Sequence, residues 1–173
     1  KRQGTPLLTA PADAGGWLLA HNDRVYLGEN MKKLYGEEFE KFSQGMASCS
    51  GCLVHCRHRH LIKEGKFAGT RGQGPEYGAI AHIGINLEVM DPATVIYAGH
   101  RCNLLGMDVS DFGHMVGYAM ELCERGILSE KQIGRSLNWG DSEGMRHKGA
   151  SRSARGAIAP MEVRAASGNT LPY

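Results

Sequence analysis

Apolar residues recur at steps of three or four along much of this chain, and residues that start or stop helices punctuate each such stretch. Between Glu29 and Phe42 the apolar positions Met31, Leu34, Tyr35, Phe39 and Phe42 follow the helical period, with Gly36 weakening the middle and Gly45 supplying a stop. Asp91-Pro92 opens a stronger helix: the carboxylate accepts from free amides, and proline suits the first helical position, where its missing N–H has no partner to lose. This helix is predicted to run to Leu105 and end at Gly106. Ser110 or Asp111 is expected to cap the next, whose apolar face is Phe112, Met115, Val116, Ala119, Leu122 and Cys123, with Gly126 at its end. Ser129 and Gln132 have capping-box spacing ahead of Ile133 and Leu137, so a third helix follows. The fold class is therefore mainly α, with irregular Gly-rich loops.

Two stretches lack that period. Residues 1–16, "KRQGTPLLTAPADAGG", are rich in Gly, Pro and small side chains and are expected to be irregular or extended. Residues 63–86 are dense in glycine and predict a loop with a short turn or two, of a length usually functional or disordered. After Asp141 almost no bulky side chain remains, and the segment is expected to be disordered or docked as an irregular arm. The organisation expected is one helical domain over 1–143 and a basic tail over 144–173, without internal repeats.

Composition narrows this picture in three ways. The 24 glycines in 173 residues are about twice the usual share of ~7%, which implies close backbone approaches. Residues 1–143 carry 15 Lys and Arg against 17 Asp and Glu, whereas 144–173 carry 5 against 1. The body thus has no clustered basic face for nucleic acid. No stretch approaches the ~20 apolar residues of a membrane span, and Lys1 begins no signal peptide, so a soluble cytoplasmic protein without a membrane partner is expected.

The candidate chemistry lies in "ASCSGCLVHCRHRH", residues 47–60, where Cys49, Cys52 and Cys56 have the spacing C-x2-C-x3-C. Cys52 and Cys56, four apart, would share a face if that stretch were helical. Soft thiolates at this density select zinc or an iron–sulfur cluster over hard cations. Gly51 lets the backbone turn amides toward sulfur, and Arg57, Arg59 and Lys63 could stabilise an anionic 4Fe-4S cubane and raise its potential. A zinc site of the three thiols with His55, His58 or His60 is the alternative, and unligated thiols are a third reading. His82, His100 and His114 stand singly as polar edges of helices. Cys102 and Cys123, on or near apolar helix faces, read as packing residues.

The order of motifs adds a resemblance. "CSGCLVHCRH", "GPEYG", "CNLLGMDVSDFG", "AMELCERGILSE" and "LNWGD" are similar, in sequence, to the central helical domain of the tungsten-dependent aldehyde ferredoxin oxidoreductase family, and "GT" at Gly4-Thr5 with "GGWLLAHND" resembles its approach to the cysteines. The likeness covers about residues 3–143. It implies that Cys49, Cys52 and Cys56 are three ligands of a 4Fe-4S cluster whose fourth comes from a later domain. It also implies that Asn103, Gly106, Met107 and Asp108 match a D-x-x-G-L-D/C motif holding one pterin of a tungsten (or molybdenum) bis-pterin, with Asn103 and Met107 departing from the pattern.

Glu76 matches a glutamate that the family places near the metal, a carboxylate able to take or relay a proton as water adds to an aldehyde carbonyl. Taken alone, one Glu in a glycine-rich loop is a solvated side chain. The family usually has another acidic residue after the tyrosine, where this chain has Gly78. The implied activity is oxidation of aldehydes to carboxylic acids, with electrons passing through the cluster to ferredoxin or another electron-transfer subunit. Other members of the superfamily reduce aromatic-ring thioesters, so a benzoyl-CoA-reductase-like subunit is an alternative, as is a non-catalytic iron–sulfur or zinc module. Family members are several times longer, so the remaining domains or subunits are expected as partners, and a truncated or frame-shifted product would also look like this chain.

Overall fold

The computed structural model describes residues 2–25 and 28–142; the tail expected over 144–173 lies outside them. The opening segment is helical, correcting the expectation of irregular chain: a 3-10 turn at Thr5–Leu8 runs directly into α1, Thr9–Ala14. Its two prolines explain the difference. Pro6 and Pro11 both sit in first turns, where no N–H is needed and their fixed φ is already helical.

β1 (Leu19–Ala20) and β2 (Arg24–Val25) form a small antiparallel hairpin. The helix expected over 29–42 is split into a 3-10 helix, Glu29–Leu34, and α2, Gly36–Glu40. Between them Tyr35 is extended, at ψ 159°, and donates its hydroxyl to Asp13 Oδ2 at 2.6 Å. That bond, then burial, pushes the Tyr35 phenol up to about 12. Gly45 is no helix stop, because the chain has already entered β3 (Ser43–Ala47).

β3 pairs with β4 (Arg57–Leu61), and β4 with β5 (Arg71–Gln73), in an antiparallel sheet of order β3-β4-β5 with a bulge between Ser43 and Met46. The inward positions of β4 are His58 and His60, 1% and 4% exposed. His58 uses both ring nitrogens, on Ser43 Oγ at 2.8 Å and the Gln3 carbonyl at 2.9 Å, so its burial leaves no unsatisfied polar atom.

The glycine-dense stretch is loop and turn over 63–70, as expected, but not beyond. After β5 it enters α3 (Tyr77–Ala79), which continues as a π-helix, Ile80–Ile85. The wide turn shows in the Asn86 N–H donating to the Ala81 carbonyl at 2.8 Å. It delivers Asn86 to the β1–β2 hairpin, where its Oδ1 accepts from the Asn22 N–H at 2.7 Å and its carbonyl from the His21 N–H at 2.8 Å. Ile80, Ile83, Ile85, Leu87 and Val89 are at most 1% exposed and pack with Leu34, Val95, Ile96 and Met120 as the centre of the core. Each such burial is worth about 1.5–3 kcal/mol.

α4 (Pro92–Leu105) has the predicted bounds, with Asp91 accepting from Ala93 and Thr94 N–H. It ends in a Schellman turn: Gly106 is left-handed at φ 67°, its N–H donates to the Asn103 carbonyl, and the Met107 N–H reaches the Cys102 carbonyl. α5 (Val109–Glu124) is capped by Asp108 rather than Ser110 or Asp111, because only two residues, Gly106 and Met107, separate α4 from that cap. α5 lies against the π-helix at Gly113, where a Cβ would stand 2.5 Å from the His82 carbonyl oxygen. α6 (Glu130–Ile133) is a single turn in which the Ser129 N–H donates to Gln132 Oε1 at 3.0 Å. Beyond it Trp139 stacks on His21, centroids 4.3 Å apart, closing the described chain onto the first hairpin. The whole is mainly helical with a small sheet, and no described helix is long and apolar enough to cross a membrane.

Candidate functional site

The connection from β3 to β4 carries all three clustered cysteines. It is not helical, so Cys52 and Cys56 share no helix face. Instead the Cys52 N–H closes a turn onto the Cys49 carbonyl at 3.1 Å, with Gly51 at φ 71° inside it. Two sulfurs already accept N–H bonds: Cys52 Sγ from Val54 at 3.4 Å, and Cys49 Sγ from Arg57 Nη2 at 3.0 Å. Cys49 is exposed, Cys52 and Cys56 half-buried. Cys102 is buried on α4, which pushes its thiol up to about 11, and Cys123 lies half-buried on α5; both suit packing.

Glu76 lies just N-terminal to α3 and reaches this connection through two residues. The Thr5 N–H donates to the Cys56 carbonyl at 3.0 Å, while its hydroxyl donates to Glu76 Oε2 at 2.8 Å and accepts from the Tyr77 N–H at 3.1 Å. Arg57 Nε stands 3.6 Å from Glu76 Oε1, an ion pair just beyond hydrogen-bond length. Glu76 is thus a held carboxylate at 45% exposure, unlike a freely solvated loop side chain. Gly4 makes the approach possible: its φ is 62°, and a Cβ there would meet the Cys56 carbonyl oxygen at 2.4 Å.

The α4–α5 corner contributes unevenly. Asn103 lines a small cavity of about 120 Å³ together with Arg57, His60, Glu76, His100 and Val109. Gly106 and Met107 form the Schellman turn, and Asp108 is spent on capping: its Oδ1 accepts from Ser110 at 2.8 Å and Asp111 at 3.0 Å, which holds its carboxyl below the usual range. Arg57, Glu76 and Asn103 therefore meet around one cavity, with Thr5 hydrogen-bonded to Glu76 behind it and the cysteine loop at its edge through Arg57. Gly106, Met107 and Asp108 do not line it. Sequence reasoning missed Thr5 as a tether; it read His60 as a possible zinc ligand and His100 as a helix edge, whereas both pack over Gly72, where a Cβ would lie 2.6 Å from His100 Nδ1.

The donor set can be tested against the two inorganic groups. Zinc needs four ligands within about 2.3 Å of one point. Among the described residues no three His, Cys, Asp or Glu side chains are so gathered, His58 is fully engaged, and His60 Nδ1 faces the Gly74 carbonyl. A cubane asks something different, since each thiolate binds its own iron and N–H donors to sulfur tune it. Three thiols on one short connection, two accepting N–H bonds, suit that chemistry.

A second cavity, of about 480 Å³, is lined by Trp17, Tyr77, His82, His114, Tyr118 and Glu121 among others. Burial, then the neighbouring His114, holds His82 below its ordinary range. The Glu76-Tyr77 turn contributes one side chain to each cavity.

The family model for aldehyde ferredoxin oxidoreductase, domains 2 and 3, matches residues 1–157. The tungsten-containing aldehyde ferredoxin oxidoreductase of Thermococcus kodakarensis is 36% identical over 147 residues, covering 82% of this chain and 23% of that protein. That of Pyrococcus furiosus is 31% identical over 121 residues, 64% of this chain and 19% of that protein. The aliphatic sulfonate oxidoreductase, WOR-like subunit, of Pyrococcus furiosus is 34% identical over 93 residues, 54% of this chain and 15% of that protein. The chain spans about a quarter or less of the length of these curated relatives.

Proposed function

Because this chain belongs to the aldehyde ferredoxin oxidoreductase family, we propose that it is the cluster- and pterin-contacting part of a tungsten (or molybdenum) oxidoreductase that converts aldehydes to carboxylic acids. One aldehyde and one water give one carboxylic acid, two protons and two electrons. When bound, a bis-pterin tungsten supplies the two-electron acceptor and a 4Fe-4S cluster the route to ferredoxin or another electron-transfer subunit.

In this reading the chain's own residues hold, orient and move protons. Cys49, Cys52 and Cys56 furnish three thiolates, and the remaining domains or subunits complete the coordination. Asn103, Gly106, Met107 and Asp108 meet one pterin at the α4–α5 corner, where Asn103 borders the small cavity. Glu76 takes the proton from the attacking water, with Oε2 fixed by the Thr5 hydroxyl so that the carboxylate keeps one orientation. The observation that carries the reading is the double tie of Thr5, to the Cys56 carbonyl on one side and to Glu76 on the other. It joins the thiol loop to the carboxylate that the resemblance places near the metal.

The test is Glu76→Gln in the full-length protein, purified without oxygen. The expected result is a kcat for aldehyde-dependent ferredoxin reduction lower by roughly 10²–10⁴-fold, the usual contribution of a general base, with iron and tungsten contents unchanged. An unaltered kcat would remove Glu76 from the chemistry. A fully metallated wild type that oxidises no aldehyde would remove the aldehyde. The relative named for aliphatic sulfonates makes sulfur-bearing aliphatic compounds the next class to assay.

A further inference from the structure

We propose that Arg57 is a positioning residue whose single guanidinium is shared between the Cys49 sulfur and Glu76, so that charge on the carboxylate is felt by the cluster through that side chain. The inference rests on the reading of Cys49 as a cluster ligand and of Glu76 as proton acceptor. Its own observation is geometric. Arg57 Nη2 donates to Cys49 Sγ at 3.0 Å while Nε of the same planar group lies 3.6 Å from Glu76 Oε1. That Nε is buried and has no hydrogen-bond partner, so the carboxylate is the anion it faces.

Sequence pooled Arg57 with Arg59 and Lys63 as a basic flank, but the fold separates them. Arg57 is the first residue of β4 and is half-buried, its side chain 27% exposed, whereas Arg59 and Lys63 are exposed. A charge removed from water interacts more strongly with its neighbours than one screened by solvent. The fork of an arginine can also address two groups at once from fixed directions, which the point charge of a lysine cannot. Thr5 ties the chain next to Arg57, through the Cys56 carbonyl, to Glu76 Oε2, which holds the carboxylate beside the start of β4. Where Glu76 is anionic it draws part of the guanidinium's charge; where it is neutralised, more of that charge acts on the sulfur, and the reduced cluster is favoured.

The experiment is a redox titration of the cluster, followed by paramagnetic resonance, in the anaerobic full-length holoprotein and in Glu76→Gln, Arg57→Met, Arg57→Lys and the two corresponding double variants. Arg57→Met is expected to keep its iron and shift the reduced-to-oxidised ratio toward oxidised about tenfold at a given potential, equivalent to about −59 mV for one electron. Glu76→Gln is expected to shift the ratio toward reduced when Arg57 is present and to have less than half that effect in Arg57→Met. If Arg57→Met loses its iron, the comparison is made in Arg57→Lys, which keeps a charge but not the fork and is expected to halve the Glu76 effect as well. A cluster present in Arg57→Met at the wild-type potential overturns the proposal, as does an equal Glu76→Gln shift with and without the guanidinium. A wild type that binds no iron fails earlier, at the ligand reading itself.

Discussion

The connection 48–56 and the stretch 80–89 are two short runs of similar length that do opposite jobs. In the first, Leu53 and Val54 are 86% and 59% exposed and the sulfurs stand at or near the surface; in the second, Ile80, Ile83, Ile85, Leu87 and Val89 are all at most 1% exposed. The difference separates stability from chemistry. The buried run packs into the core with the helices, and Glu76-Tyr77, at the start of α3 just before it, meets Thr5 at the edge of the thiol loop. The loop contributes little burial of its own and depends on Thr5 and Arg57 for its place.

The largest test of that division is a pair of truncations. Ile83→Ala is expected to cost about 2–5 kcal/mol in denaturant unfolding of the protein, while Leu53→Ala stays within about 0.5 kcal/mol. Equal costs would break the comparison. Next is the tether. Gly4→Ala places a methyl 2.4 Å from the Cys56 carbonyl oxygen, and a loss of about 1–3 kcal/mol in thermal unfolding is expected from the backbone conformation alone, φ 62° with ψ −154°, which is essentially reserved to glycine. A silent Gly4→Ala would mean that Thr5 does not hold the loop.

Asp108→Ala sharpens the reading of the α4–α5 corner. As the cap of α5 its loss is expected to lower the unfolding temperature even in metal-free protein, with Asp108→Asn recovering most of the loss. No cost without metal would leave Asp108 to the pterin alone. The smallest effect is with pH. Burial, partly offset by the Gly74 carbonyl, holds His60 below its ordinary 6.5, so its neutral form is the folded one. Below about 6.5 the unfolded chain binds the extra proton first, and stability falls with acidification through that window. His60→Gln is expected to flatten a plot of unfolding temperature against pH between neutrality and pH 5; an unchanged slope assigns the effect elsewhere.

Legibility in the sequence followed how local each signal is. α4 could be bounded at both ends because Asp91-Pro92 and Gly106 act on their own neighbours. The start of α5 was blurred by three competent caps within four residues, Asp108, Ser110 and Asp111. The π-helix escaped because Ile83, Ile85, Leu87 and Val89 alternate at the strand period although Ile80–Ile85 is coiled by i to i+5 turns. β4 escaped because its inward residues are histidines, His58 bonded to Ser43 and Gln3 and His60 through Nδ1 to Gly74, all from elsewhere in the chain. At the site, thiol spacing was visible in a single line of sequence. The Thr5–Glu76 bond was not, since it joins residues 71 positions apart.

The central claim is that Cys49, Cys52 and Cys56 hold iron beside Glu76, and metal analysis with low-temperature paramagnetic resonance on anaerobically prepared full-length protein addresses it most directly. The account predicts about four iron atoms and four sulfides per chain, a signal of a reduced cubane on adding dithionite, and loss of both in Cys52→Ser. About one zinc per chain, or an iron content indifferent to Cys52→Ser, would contradict it.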